Sequence, residues 1–154
     1  MTIINTFKNI TKTEQTLSAL PLRLIAGIIF TAHGAQKLFA WFGGYGLEGT
    51  GQWMESIGLA PGYLMALMAG GVEFFGGLLL IVGLLTRPTS LALAFTMIVA
   101  IFSVHFENGL FMSNNGYEFG LTLLAITLAL MIQGGGKYSL DNQLLKKNLS
   151  NTAS

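Results

Sequence analysis

Four long apolar segments, separated by short glycine- and asparagine-rich stretches, dominate the sequence. Each has about 17–25 residues, the length that a helix needs to cross a hydrocarbon core of about 30 Å. Inside lipid the backbone must satisfy its own hydrogen bonds, so such segments form helices. The pattern therefore predicts an all-α fold, an integral membrane four-helix bundle with four transmembrane helices at about 20–42, 61–85, 88–106 and 117–133.

The segments outside these spans are polar or rich in glycine. Residues 1–18 predict a cytoplasmic N-terminal arm and residues 137–154 a cytoplasmic polar tail, which leaves 19–136 as the membrane domain. Residues 43–58 predict a loop with an amphipathic turn at the membrane surface. Thr86-Arg87-Pro88 predicts a tight turn, with Pro88 beginning the third helix, where its missing N–H costs nothing.

The composition is that of a membrane protein. Of the 154 residues, 52% are hydrophobic and only 10% are charged, whereas a typical soluble domain is about 25% charged. A net charge of +1 gives no broad basic surface of the kind that binds nucleic acid. The absence of cysteine excludes disulfides, thiol chemistry and iron–sulfur ligation by this chain. With two histidines and no cysteine, we expect no structural metal site.

The distribution of basic residues predicts the orientation. Lys and Arg occur in the arm, at the start of the first span, in the second loop and in the tail, whereas the first and third loops contain glutamate but no Lys or Arg. Because cytoplasmic segments carry the excess of Lys and Arg, both termini are predicted to be cytoplasmic (N-in, C-in). Lys37, near the outer end of the first span, is the exception, and its long side chain can snorkel outward.

Strongly polar side chains inside the spans indicate a site, because each is costly in hydrocarbon. Three of them in the first span are spaced i, i+3 and i+4 and so share one helix face. The others lie at mid-depth in the second span and at the outer ends of the third and fourth. The predicted site in the outer half of the bundle comprises His33, Gln36, Lys37, Glu73, His105 and Glu118.

Glu73 is expected to contact the first span, because an unpaired carboxylate in hydrocarbon is costly. By depth its predicted partner is His33, with Lys37 or Arg23 as alternatives through their longer side chains. Arg23 and Arg87 are further candidates for structural ion pairs. Two histidines on different helices could also ligate haem iron, or they could be ordinary hydrogen-bonding residues of the core.

Several motifs resemble the DoxX family of membrane proteins. The first helix contains Arg23-Leu24, His33-Gly34 and Gln36-Lys37-Leu38, and the second begins its motif with Glu73-Phe74-Phe75-Gly76-Gly77-Leu78. The resemblance extends over roughly residues 17–143, through Gly83-Leu84-Leu85-Thr86-Arg87, Tyr117-Glu118 and Gly136-Lys137-Tyr138-Ser139-Leu140-Asp141.

This resemblance implies a multi-pass protein of the bacterial cytoplasmic (inner) membrane. Some members of the family are linked to quinone-reducing sulfur oxidation, terminal oxidase complexes or membrane oxidoreductase assemblies, and many have no assigned role. Two functional classes stay open. The chain could be a membrane subunit of a quinone-linked oxidoreductase assembly, with a redox partner subunit and a quinone at the polar site. Alternatively, it could be a non-catalytic assembly partner or small-molecule carrier whose polar cluster is structural.

Overall fold

The computed structural model describes residues 12–152, with side chains to residue 147. Most of this part of the chain is helical, and it contains no strand. The all-α prediction is therefore confirmed for the described residues. The main helices, labelled here in chain order, are α1 (Ala19–Phe39), α2 (Gly46–Ser56), α3 (Gly62–Val82), α4 (Thr86–Ala100), α5 (Glu118–Gln133) and α6 (Leu140–Thr152).

Two helical stretches are long and apolar enough to cross a membrane. They are Gly62–Val82 and Thr86–Asn108, and they match the second and third predicted spans. The latter is α4 continued through a π-helical turn, Ile101–His105, and a short 3-10 turn. α1 has 21 residues but carries Arg23 and Lys37, and α5 is apolar with 16 residues.

α1 and α3 run antiparallel and pack through glycines on both helices. A Cβ built on Gly27 would lie 2.7 Å from the carbonyl oxygen of Gly77, and one built on Gly34 would lie 2.7 Å from the Cα of Phe74. These distances leave no room for a side chain, so the glycines allow the close backbone approach that is typical of membrane helix pairs. The contact also sets the register, placing the last turns of α1 beside the turn of α3 that contains Glu73.

An apolar core fills the middle of the bundle. α1 packs mainly against α3, and α4 packs mainly against α5, so the bundle consists of two helix pairs with the core between them. All four helices contribute to a single cluster of buried side chains, which includes Ala26, Phe30, Leu80, Leu93, Met97, Leu123 and Leu130.

The two ends of the bundle differ. The loop end holds residues 40–61 and 106–117, and the opposite end is called here the terminal end. There the N–H of Lys137 donates to the carbonyl of Thr16 at 3.0 Å. The segments that precede α1 and follow α5 therefore lie at the same end, as predicted. Most of the predicted N-terminal arm, residues 1–11, lies outside the described residues.

The polar tail predicted at 137–154 begins with a buried, docked segment. The carboxylate of Asp141, which is 1% exposed, accepts hydrogen bonds from the N–H of Leu85 at 2.8 Å and from the N–H of Thr86 at 2.9 Å. The N–H of Asp141 in turn donates to the carbonyl of Gly83 at 2.9 Å. The segment, which includes the first turn of α6, thus closes the terminal end.

Two further local expectations were wrong. The stretch predicted as a loop at 43–58 contains the three-turn helix α2. The helix predicted to begin at Pro88 begins instead at Thr86. The carboxylate of Asp141 caps the first N–H groups of α4, and Pro88 falls within its first turn, where a helix needs no N–H donor.

Candidate functional site

A cavity of about 720 Å³ opens at the loop end, between α1, α2, α3 and the last turns of α4. Its lining combines polar side chains with apolar and aromatic ones. Five of the six residues predicted for the site line this cavity, namely His33, Gln36, Lys37, Glu73 and His105.

A buried ion pair lies in the wall of the cavity. The Nζ atom of Lys37 is 2.6 Å from the Oε2 atom of Glu73. Glu73 is 3% exposed, whereas the Lys37 side chain is 23% exposed. Glu73 therefore does contact α1, and its partner is Lys37, one of the two predicted alternatives, and not His33, which had been expected first from depth alone.

His33 lies in the same cavity without a hydrogen bond to any described residue. Its ring faces that of Phe119 on α5, with the two ring centroids 6.0 Å apart. Its side chain is exposed and lines the cavity. Since an imidazole offers one donor and one acceptor when neutral, His33 has both ring nitrogens available to a bound molecule.

The π-helical turn Ile101–His105 brings a second histidine to the cavity. Thr96 and His105 are nine residues apart, about two and a half turns of an ideal α-helix, which would place them on opposite sides. The i→i+5 bonds of a π-helix widen the turn, and both residues line the cavity. The Nδ1 atom of His105 lies 2.8 Å from the carbonyl of Asn115. Because a carbonyl only accepts, Nδ1 is the donor, and Nε2 of the neutral ring stays free as an acceptor.

α2 forms a wall of the cavity that sequence reasoning missed. Its buried residues Gly46, Thr50, Gly51 and Met54 recur at helical spacing, and this periodicity could have revealed the helix. The side chain of Glu55 accepts a hydrogen bond from the N–H of Gly62 and so ties α2 to the start of α3. Thr50, Trp53 and Met54 line the cavity from this side.

The mouth of the cavity is formed by the glycine-rich segment between α1 and α2. Gly43, Gly44 and Tyr45 line it, and Tyr45 is 83% exposed. The side-chain amide of Gln36 donates to the carbonyl of Phe42 at 3.3 Å. A Cβ built on Gly44 would lie 2.6 Å from the Cβ of Gln36, so a glycine is needed for this segment to pass so close to α1.

Glu118, the sixth predicted site residue, does not line the cavity. Its Oε1 atom accepts a hydrogen bond from the N–H of Met112 at 2.6 Å. Glu118 therefore holds the 106–117 segment against the start of α5, and its role in this structure is to stabilise that loop.

The two arginines lie at the terminal end and bind carbonyls where ion pairs had been expected. The guanidinium of Arg23, which is 2% exposed, donates to the carbonyls of Leu80 at 3.2 Å and Tyr138 at 2.6 Å, and also to that of Ile81. Arg87 donates through Nε to the carbonyl of Lys12 at 2.6 Å. Neither arginine has a carboxylate within ion-pair distance among the described residues.

Comparison with known proteins gives the family. The sequence model of the DoxX family matches residues 18–106, which hold α1 to α4 and the π-helical turn. Among curated proteins, "Inner membrane protein YqjF" of Escherichia coli is 37% identical over 142 residues, covering 88% of this chain and 98% of that protein. The similarity thus extends beyond the residues that the family model matches and covers nearly the full length of this relative.

Two further relatives are similar over most of the chain. "Putative oxidoreductase CatD" of Bacillus subtilis is 40% identical over 114 residues, covering 74% of this chain and 78% of that protein. An uncharacterized membrane protein of Mycobacterium tuberculosis is 30% identical over 141 residues, covering 84% and 83%. No solved structure matches the chain.

Proposed function

The chain belongs to the DoxX family of membrane proteins, and we propose that its loop-end cavity binds the head group of a quinone within a membrane oxidoreductase assembly. The protein resides in the bacterial inner membrane, like its relative "Inner membrane protein YqjF". The relative "Putative oxidoreductase CatD", 40% identical over 114 residues, supports a redox role.

We further propose that α1, α3, α4 and α5 all span the membrane. A helix of 21 residues such as α1 is about 31 Å long, which matches the hydrocarbon core. The two charged groups of α1 are compatible with lipid around the bundle, because Arg23 is buried against carbonyls and Lys37 is paired with Glu73. The positive-inside rule then favours a cytoplasmic terminal end and an outward-facing loop end.

The observation that carries the proposal is the unpartnered imidazole of His33 beside the buried Lys37–Glu73 pair. Ionisable groups inside a membrane are costly and mark functional sites by default, and glycines alone already permit the close contact of α1 and α3. Ligand cavities commonly measure roughly 300–1,000 Å³ and combine apolar walls with a few polar groups. The cavity, at about 720 Å³, has this size and this mixed lining.

In this proposal the free nitrogens of His33 hydrogen-bond a ring oxygen of the quinone. An imidazole titrates near neutral pH and can hold or pass a proton. The neighbouring Lys37–Glu73 pair supplies a fixed cation and a carboxylate at the same wall. The chain has no cysteine for a thiol or iron–sulfur centre, so a partner subunit is proposed to exchange the electrons.

A second candidate is a non-catalytic assembly partner or small-molecule carrier. The observation in its favour is the completeness of the Lys37–Glu73 pair, which joins α1 to α3 at 2.6 Å and would serve packing even in an empty cavity. In that case His33 would need no ligand.

Substitution of His33 separates these candidates, because His33 makes no hydrogen bond that the described structure needs. We expect His33→Ala, purified in mild detergent, to bind ubiquinone or menaquinone with about tenfold lower affinity, the loss expected for one hydrogen bond. Its melting temperature should stay unchanged. Asn114→Ala, in an exposed loop outside the cavity, is the matched control and should change neither quantity.

Bound quinone is measured by extraction and mass spectrometry over a range of supplied quinone concentrations, so that a tenfold change in affinity is visible. Wild-type protein that never binds quinone, or His33→Ala protein that binds as much as wild type, would contradict the proposal. An absorption spectrum of the same samples tests the haem alternative, since a Soret band would indicate haem between the two histidines.

A further inference from the structure

We infer that water and protons reach the cavity only from the loop end of the bundle, and that the path to the terminal end is closed. This access path rests on the proposed function for its biological role. If the cavity binds a quinone, the path determines on which side of the membrane the quinone exchanges its protons. The access path itself follows from how the side chains pack on the terminal-end side and on the loop-end side of the Lys37–Glu73 pair.

The floor of the cavity is an apolar layer. Leu80 lies seven residues beyond Glu73 on α3, about 10 Å along the helix towards the terminal end, and Phe30 lies seven residues before Lys37 on α1. Phe30 is 1% exposed, and Leu80 and Leu93 are 0% exposed. All three belong to one contiguous cluster of buried apolar side chains. Proton transfer needs a donor and an acceptor within hydrogen-bond reach, and these side chains provide none.

The hydroxyls near this layer are already engaged. On α1, the Oγ1 atom of Thr31 donates to the carbonyl of Gly27 at 2.7 Å. Thr127, on α5, is 0% exposed. Its Oγ1 atom donates within its own helix, with the carbonyls of Leu123 at 3.0 Å and Leu124 at 2.9 Å as the acceptors. It therefore offers no continuous path across the layer.

A second closure lies below the apolar layer. Arg23 is held by the carbonyls of α3 and of Tyr138, and Asp141 is bound to the start of α4. Buried polar atoms without a partner do occur here, at Arg23 Nε, Thr86 Oγ1 and Ser90 Oγ. Their residues are only 0–2% exposed, so any water they bind is enclosed between the apolar layer and the docked 136–142 segment.

The opposite side of the cavity is open. Its mouth is lined by Gly43, Gly44, Tyr45 and Asn115, and both Tyr45 and Asn115 are exposed. Protons of a quinol bound beside His33 would accordingly leave through the loop end. With the proposed orientation, they would leave to the outer side of the membrane.

Thiol labelling along α4 tests the inference, because the chain has no cysteine of its own. Single replacements Ser103→Cys, Thr96→Cys, Leu93→Cys and Ser90→Cys form a series from the mouth, through the floor, to the enclosed polar cluster. Each is exposed to a membrane-impermeant, positively charged thiol reagent in right-side-out and inside-out vesicles. Asn114→Cys and Lys137→Cys, at exposed positions of the loop end and the terminal end, show which vesicle side presents which end.

We expect Ser103→Cys and Thr96→Cys to react only from the side that labels Asn114→Cys, and Leu93→Cys and Ser90→Cys to react from neither side. Labelling of Thr96→Cys from the terminal end, or from no side, would overturn the inference. So would labelling of Leu93→Cys from either side. Melting temperature identifies any variant that fails to fold, and Ser103→Cys is nearly isosteric. The labelling uses no quinone, so its outcome is independent of whether the proposed quinone binding fails.

Discussion

At the level of single residues, Lys37 and Glu73 connect α1 to α3 through a contact of 2.6 Å between Nζ and Oε2. Replacing Lys37 by Met keeps most of the apolar stem but leaves the carboxylate of Glu73 buried without its cation. Breaking a buried pair in this way costs about 3–5 kcal/mol. We therefore expect Lys37→Met to lower the melting temperature in detergent substantially.

Glu73→Gln is the matched comparison for this prediction. It leaves an unpaired ammonium, but the Lys37 side chain is 23% exposed and can turn towards water in the cavity, so the loss of stability should be smaller. A Lys37→Met protein that melts at the wild-type temperature would show that the pair does not stabilise the contact of α1 and α3, and equal losses in the two variants would contradict the larger cost assigned to the buried carboxylate.

The same residues show how far sequence reasoning reaches at this scale. The i, i+3, i+4 spacing was enough to predict that His33, Gln36 and Lys37 share a face, and all three line the cavity. The first-ranked partner of Glu73, His33, was wrong because depth was judged from Cα positions alone, whereas Lys37, named as an alternative, is the partner. Side chains lean towards the N-terminus of their helix, so on antiparallel α1 and α3 Lys37 and Glu73 lean towards each other.

At the level of elements, the α1–α3 interface depends on glycines that differ sharply in their surroundings. A Cβ on Gly34 would lie 2.7 Å from the Cα of Phe74, whereas a Cβ on Gly71 would meet nothing within 4 Å. We expect Gly34→Ala to lose about 1–3 kcal/mol through overpacking. Gly71→Ala, the control, should be neutral or slightly stabilising, because Ala favours helix over Gly.

Thermal unfolding of the two variants in the same detergent checks this prediction. Equal melting temperatures for Gly34→Ala and Gly71→Ala would mean that α1 and α3 do not pack at the observed distance.

The docked tail segment gives a second prediction for elements. Asp141→Ala removes the acceptor from the N–H groups of Leu85 and Thr86, and the loss of a helix cap costs about 0.5–2 kcal/mol. We expect faster proteolysis at 136–147 and a lower melting temperature. Gln143→Ala, at an exposed position of α6, should leave both unchanged, and equal protease resistance of the two variants would contradict the docking.

Elements whose signal is a long apolar run were predicted within a few residues, as α3 shows. Those that depend on tertiary contacts were not. The start of α4 at Thr86 is determined by a carboxylate 55 residues later, and the π-helical turn at Ile101–His105 has no signature in local sequence. α2 is a different case, since its buried residues follow helical spacing but its glycines favoured the prediction of a loop.

At the level of the whole molecule, the orientation in the membrane is open to a direct test. Apart from Lys37, the basic residues that the structure describes lie near the terminal end, and the loop end lacks Lys and Arg outside α1, so the positive-inside rule predicts cytoplasmic termini. Fusion of green fluorescent protein after Ser154 should give fluorescent cells, and alkaline phosphatase at the same position should be inactive. The reverse pair of results would show that the C-terminus faces outward and would contradict the predicted orientation.

The central claim, that the loop-end cavity binds a quinone head group, is tested most directly by the fluorescence of Trp53. The chain has two tryptophans, of which Trp53 lines the cavity and Trp41 does not. Because quinones quench tryptophan on close approach, titration of the Trp41→Phe protein with a short-chain benzoquinone or naphthoquinone should quench Trp53 in a saturable manner. His33→Ala in the same background should shift saturation to about tenfold higher concentration. Equal, non-saturating quenching of Trp53 in Trp41→Phe and of Trp41 in Trp53→Phe would contradict the claim.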